Sequence, residues 1–512
     1  MRIAGLLLSL LISRQAFANA EGPLVVSSRN SRYFETPGGR IVVLAGAHTW
    51  ENLVPQGRLS DGDPPTFVVP GAFSDDFDGY LDYLQSYGFN FTRLWAWENA
   101  RWNPNNPDSD NFIFGPPLPY ARTGPGTALD GKPRFDLDTF DPTYFNRLRS
   151  AVIRLGLRDM YAEVMLFQGW SNGPWGPAIG NPWPGNIFNQ SNNIQGLNGD
   201  TDGNGDGREI NTMSTSGDIP AIRSYQEAYV RHVIDVLNDL PNVLYEIANE
   251  PLDTSVPWQQ HMVDVIDAYQ QTKPNQHPVG VTGCVNGCDS QPSGGVFGIA
   301  GAQFAGPAAN LSSNPHAWPP PGQSGRVGIA DSDHYSLANA SQPLIWQLFL
   351  QGWNVAHMDL FDCTPYANQA TYYDCAKPGY DPAKEQGAKV AIGQIARLGP
   401  HLDLANMVPS GGLSSDGYAL ADTTHAQKDV LAYTSDGALT LDLSSGSGQA
   451  WSVYWMDADD GTLNLINAPV TGAASVPLTC PFASGRCVVL VTQGSSELSY
   501  EVITMGPVRP LP

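Results

Sequence analysis

Basic residues are scarce in this chain: 27 Lys and Arg stand against 50 Asp and Glu, a formal charge of −23. A surface that grips nucleic-acid phosphates or anionic lipid needs the opposite balance, so neither is an expected partner. Cysteine is scarce too, six in 512 residues, too few for disulfides to replace a core. Long apolar runs are missing. The run Gly5 to Ile12 falls short of the roughly 20 residues that span a bilayer. It follows Arg2 and precedes Ala18-Asn19-Ala20, the charged, apolar, small-residue order of a cleaved secretory signal. Residues 1–20 are therefore expected to be removed and the mature chain to be secreted, with no membrane partner.

Aromatic residues are plentiful, with 13 Trp, 20 Tyr and 19 Phe, enough to fill a large core and far from the composition of a disordered chain. Secretion permits disulfides, and the cysteines fall into local pairs along the sequence: Cys284 with Cys288, Cys363 with Cys375, Cys480 with Cys487. Asn-x-Ser/Thr sequons stand at Asn90, Asn189, Asn310 and Asn339, making a glycoprotein expected. Asn90 reads as part of a buried strand and is excluded as a glycan site.

From about residue 40 to 400, short apolar strands alternate with helix-period segments. Strand Arg40 to Ala47 precedes helix Asp75 to Tyr87. Strand Phe89 to Trp95 precedes Pro142 to Leu157, Met160 to Phe167 precedes Ala221 to Leu240, and Val243 to Ala248 precedes Trp258 to Thr272. The rhythm continues through Pro278 to Thr282, a strand ending near His316, Arg326 to Ala330, Pro343 to Gln351, Asn354 to Asp359 and Glu385 to Leu398. This is the pattern of an α/β (β/α)₈ TIM barrel, assigned to residues 21–405. After Gly399-Pro400 the helical period is lost and short β-branched and aromatic segments separated by Gly, Ser and Asp predict a small all-β sandwich over 406–512. Trp451, Tyr454 and Trp455 are its only binding-platform residues, and packing against the barrel is its expected role.

In such a barrel the reacting groups sit at the C-terminal ends of the strands. Those exits are polar and aromatic here: His48 after the first strand, Arg93, Trp95, Trp97 and Glu98 after the second, Glu163 and Trp170 on and after the third. The fourth reads Tyr245-Glu246-Ile247-Ala248-Asn249-Glu250-Pro251. That motif, with Asn90-Phe91-Thr92-Arg93, resembles clan-A glycoside hydrolases, the retaining (β/α)₈ group that includes the cellulase-like family five. The resemblance covers about residues 40–400. It implies that Glu250 is the general acid/base, that Asn249 binds the sugar 2-hydroxyl, and that Arg93 holds the nucleophile carboxylate ionised.

Glycosidic cleavage needs a second carboxylate, held about 5 Å from the acid in retaining enzymes and about 6.5–9.5 Å away in inverting ones. Clan members supply a Glu from strand seven, where this chain has Asp331-Ser332-Asp333-His334. Asp331 falls at the Glu position, one methylene short, and Asp333 shares its face. Three readings follow: a retaining glycosidase with nucleophile Asp331, an inverting glycosidase pairing Glu250 with Asp331 or Asp333, and a non-catalytic carbohydrate-binding protein. In each the partner is a poly- or oligosaccharide. His48, Trp95, Trp97, Glu98, Trp170, His316, His334 and Asp359 are candidate substrate contacts, the tryptophans as stacking platforms. Glu163 pairs with Arg93 or binds hydroxyls, and Glu246, out of step with Asn249, is read as an outward or salt-bridged residue.

One loop, Asp200-Thr201-Asp202-Gly203-Asn204-Gly205-Asp206-Gly207-Arg208-Glu209, spaces oxygen ligands at alternate positions as calcium loops do. Asp200, Asp202, Asn204, Asp206 and Glu209 are the candidate ligands. The twelfth position carries no Glu, and the plainer alternative is a solvated acidic turn. No cofactor is expected for the chemistry, calcium being structural. A metal-dependent hydrolase finds no support in a His pair at ligand spacing.

Overall fold

The structure, a computed structural model, describes residues 20–493 except 50–51, 55, 59–76, 101–111, 115–116, 170–171, 174–180, 215–216, 284–297, 307–321, 323–324, 333–339, 359–380 and 427. Eight parallel strands close into a barrel: β1 Ala45–His48, β2 Phe91–Leu94, β3 Tyr161–Gln168, β4 Val243–Asn249, β5 Val279–Thr282, β6 Phe304–Gly306, β7 Val327–Asp331 and β8 Asn354–Met358. Helices α1 Phe77–Tyr87, α2 Pro142–Gly156, α3 Pro220–Leu237 and α4 Val256–Gln270 follow the first four strands, and α5 Gln342–Leu350 and α6 Pro382–Leu398 follow β7 and β8. Helix starts follow local chemistry. The side chains of Asp141, Ser341 and Asp381 accept backbone N–H groups at the starts of α2, α5 and α6, each with a proline in the first turn, where its missing N–H costs nothing.

The expected strand 40–47 is two strands. Ile41–Val42 pairs antiparallel with Phe34–Glu35, which pairs with Val25–Val26, forming a small sheet under the barrel. The chain then turns into the wall, where Asn354 Oδ1 accepts the Leu44 N–H at 2.7 Å. Phe34 and Val42 from that sheet pack with Leu44, Phe91, Tyr161, Leu244, Phe304, Val327 and Ala356 in one apolar cluster that closes the barrel floor. Gly280 makes room for it, since a Cβ there would lie 2.0 Å from the Phe304 ring. The sixth strand is described over Phe304–Gly306, and its expected end near His316 lies outside the described residues. Asn90 is committed to the wall, its amide donating to Val43 O and its Oδ1 accepting from Ala45 N, both at 2.9 Å. Among the described residues no helix is long and apolar enough to cross a membrane.

Beyond the barrel, β9 Val408–Pro409, β10 Ala419–Asp422, β11 Asp429–Thr434, β13 Ala450–Asp457, β14 Leu463–Thr471 and β16 Cys487–Thr492 form a six-stranded antiparallel sheet in the order β9-β10-β11-β16-β13-β14. Strands β12 Ala438–Leu441 and β15 Val476–Thr479 pair separately. Trp451 and Trp455 are buried in the core between them, so neither is the surface platform its composition suggested. Cys480 and Cys487 form a disulfide; the other four cysteines, with Asn310 and Asn339, lie outside the described residues. The sheet docks on the barrel through α5. Trp346 stacks on Tyr433 at 6.3 Å, and Gln342 and Gln394 both donate to the Ala458 carbonyl.

Candidate active site

The mouth of the barrel is organised around one buried guanidinium. Arg93, at the level of Glu163 on the neighbouring strand, donates from Nε to Glu246 Oε2 at 2.6 Å and from Nη2 to Glu246 Oε1 at 2.5 Å. Nη2 also donates to Asn249 Oδ1 at 2.9 Å, and Nη1 lies 3.6 Å from Asp331 Oδ2. Glu246 is thus the salt-bridged residue of the two readings and it faces inward, where it also accepts the Thr282 hydroxyl. Arg93 meets Asp331 only at longer range. Asn249 is fixed from both sides, since its Nδ2 donates to Gln168 Oε1 at 3.0 Å.

Asp331 ends β7 and is buried. His48 Nε2 lies 2.8 and 3.0 Å from its two oxygens. The Trp95 indole N–H donates to His48 Nδ1 at 2.8 Å. An indole can only donate, so Nδ1 accepts and Nε2 carries the hydrogen given to Asp331. Trp95 therefore acts beneath the site. It is 1% exposed and Trp97 2%, the two rings stacked 6.0 Å apart, so neither offers the free face expected of a sugar platform. The burial follows from position: both rings sit against packed elements, with the Arg93 guanidinium 4.7 Å over Trp95.

Glu250 leaves the end of β4 with a φ of 40°, a conformation that costs a non-glycine residue about 1–3 kcal/mol and gathers at functional sites. The turn is held from β3. The Gly169 N–H donates to Asn249 O at 2.8 Å, and a Cβ on Gly169 would lie 2.4 Å from Pro251 Cα. Burial raises the Glu250 pKa to about 7, with Arg93 opposing and the charge on Asp331 adding to the rise. Glu163, buried on β3, is raised well above the ordinary carboxyl range by burial and by Glu246 and Asp331, against Arg93. Burial alone would lower the pKa of Arg93, but Glu246, Asp331 and Glu163 together raise it. Four carboxyl groups thus share one guanidinium. Glu246 and Asp331 take the contacts, from Arg93 and from His48, and the other two, Glu163 and Glu250, are pushed toward the neutral acid. A proton donor at neutral pH then shares the mouth with Asp331, whose carboxyl accepts the His48 Nε2–H, two carboxyl groups in different settings of the kind acid–base or nucleophilic chemistry uses.

Glu98 points elsewhere. It accepts the Gln168 backbone N–H at 3.1 Å and lines a cavity of about 10 Å³ with Ala96, Tyr120, Phe167, Phe188 and Tyr229. Phe167 and Tyr229 belong to the packing between β3 and α3, so Glu98 sits in the layer behind the wall, where burial raises its pKa to about 7. Trp170, His316, Asp333, His334 and Asp359 lie outside the described residues. Sequence reasoning missed Gln168, Thr282 and Asn52, whose amide donates to Arg93 O at 2.7 Å and whose Oδ1 accepts from Trp95 N at 3.1 Å. Strand register could have found Thr282; nothing local marks Asn52.

In the acidic loop, Asp200, Asp202 and Glu209 come together, one oxygen from each lying within 4.8 Å of the others. Asp206 turns away to Arg208, 3.3 Å from its Nε, and Asn204 Oδ1 accepts the Asp206 N–H.

No family model matches the sequence, and no curated protein matches it. Solved structures do. A glycoside hydrolase family 5 protein from Bacteroides vulgatus ATCC 8482 superposes with a TM-score of 0.54 at 11% identity, over 91% of this chain and 93% of its own. A second structure, named simply glycoside hydrolase, gives 0.54 at 13% identity over 93% and 97%. At such identities the likeness is one of fold. The chain shares the fold of these glycoside hydrolases across nearly its whole length.

Proposed function

We propose that this chain is a secreted glycoside hydrolase, cleaving O-glycosidic bonds of a poly- or oligosaccharide by a retaining double displacement. The observation that carries this reading is Glu250, raised to about 7, at the same barrel mouth as an Asp331 that is hydrogen-bonded to His48. Glu250 protonates the leaving oxygen. Asp331, its charge supported by the His48 Nε2–H and by Arg93, attacks the anomeric carbon, and Glu250 then takes a proton from the water that releases the sugar. Asn249, locked by Arg93 and Gln168, is placed to meet the 2-hydroxyl. This two-carboxylate chemistry requires no cofactor.

The reading is tested with a panel of plant and microbial polysaccharides and aryl glycosides. Glu250→Gln should abolish release from any responsive polysaccharide, while an aryl glycoside whose leaving group needs no proton retains glycosylation. Azide should restore turnover to Asp331→Gly. Unchanged turnover in Glu250→Gln overturns the assignment, and a product of inverted anomeric configuration in proton NMR replaces double displacement with a single one. The pH profile of kcat/KM should fall on its alkaline side near 7, because the acid must hold its proton.

A further inference from the structure

We propose that the loop 200–209 is a Ca²⁺ site formed by Asp200, Asp202 and Glu209. The carboxyl group of Glu209 is divided in its satisfaction. Its Oε1 accepts three hydrogen bonds, from Thr201 N at 2.9 Å, Thr201 Oγ1 at 3.2 Å and Asp202 N at 3.0 Å. Its Oε2 is buried and has no hydrogen-bond partner, on a residue only 9% exposed. Asp200 repeats the division, with Oδ2 accepting the Gly205 N–H at 3.0 Å and Oδ1 buried without a partner. Buried carboxylate oxygens are normally paired or bound to metal. Among the described residues none of the three acids makes an ion pair, and the nearby Arg208 is turned to Asp206.

The spacing suits one ion. Two oxygens on the same Ca²⁺, at about 2.3–2.6 Å each, can be no more than about 5.2 Å apart, and these lie within 4.8 Å. Donors that are all oxygen favour a hard cation, and the exposed Asp202 leaves one side open for water ligands. Glu209 supplies from the tenth position the acid that the twelfth lacks, carried back by the 3₁₀ turn Arg208–Asn211.

The site has a structural consequence. Gly207 lies against Trp183, where a Cβ would be 2.0 Å from the ring, and Asn181 donates to Gly205 O at 2.7 Å. The segment beginning there supports the exit of β2: Asn99 donates to Pro182 O and the Ala100 N–H to Gly185 O, both at 2.9 Å. A bound ion would stiffen that wall without touching the reacting carboxyls, so the proposal stands apart from the chemistry at Glu250.

The test uses the full chain stripped with EDTA. Calorimetric titration with CaCl₂ should show one saturable site with a dissociation constant of about 10⁻³ M or tighter, and Ca²⁺ should raise the thermal midpoint in a way EDTA reverses. Glu209→Gln and the exposed Asp202→Asn should each weaken binding about tenfold or more. No saturable heat and no midpoint shift at about 10 mM Ca²⁺, an affinity unchanged in both variants, or Mg²⁺ binding as tightly as Ca²⁺ would each overturn it.

Discussion

At the floor of the barrel, Phe34, Phe91, Tyr161, Leu244 and Phe304 pack with one another in an apolar plug. Two residues beyond Phe91, Tyr161 and Leu244 on their strands stand Arg93, Glu163 and Glu246, and four carboxyl groups crowd one guanidinium. The contrast separates two jobs. Burial of apolar surface at the floor stabilises the fold, whereas the mouth is kept charged at a cost in desolvation. Changes at the mouth should therefore alter rate and pH response more than folding, and changes at the floor the reverse.

The largest effect that could break this division is on catalysis. Asp331→Asn and Glu250→Gln should each lower kcat by about 10³-fold or more on a substrate with a poor leaving group, with unfolding midpoints in urea no lower than the parent's. Next comes the floor. Phe304→Ala should cost about 3–5 kcal/mol in urea unfolding, with kcat per folded molecule retained. Smaller still is Glu163→Gln. The folded state holds the Glu163 proton at a pH where the unfolded chain has lost it, so stability falls as pH rises from the ordinary carboxyl range through the raised value. Removing the acid should therefore stabilise the fold more at pH 8 than at pH 4, measured by thermal unfolding at both. The smallest effect sharpens the boundary of the mouth: Glu98→Gln should leave kcat/KM within about twofold, since Glu98 lies behind the wall.

Much of the barrel was legible because alternating strands and helices write themselves in periodicity, and Glu250, Asn249 and Arg93 because a strand-end motif fixes them in sequence. Glu246 was read less surely. Counting from Asn249 assumed unbroken alternation, but alternation relaxes where the chain turns out of β4 at Glu250, and both Glu246 and Asn249 reach Arg93. Trp95 and Trp97 misled for another reason: an indole suits a sugar face and a packed layer equally, and only the three-dimensional neighbours decide. Glu209 was legible as a candidate, but that it meets Asp200 and Asp202 while Asn204 and Asp206 do not depends on a 3₁₀ turn that no fixed spacing anticipates.

The helix between β7 and β8 sets how this molecule can be handled. Nearly every residue of α5, from Leu344 to Leu350, is buried, so it has no wet side to present if the β-sheet unit is taken away. Severing the chain near residue 405 would bare Trp346 and loosen the hydrogen bonds from Gln342 and Gln394. What looks on paper like a cutting point between two modules is a shared keel. Expression, trimming and thermal engineering have to keep the barrel and its β-sheet neighbour together.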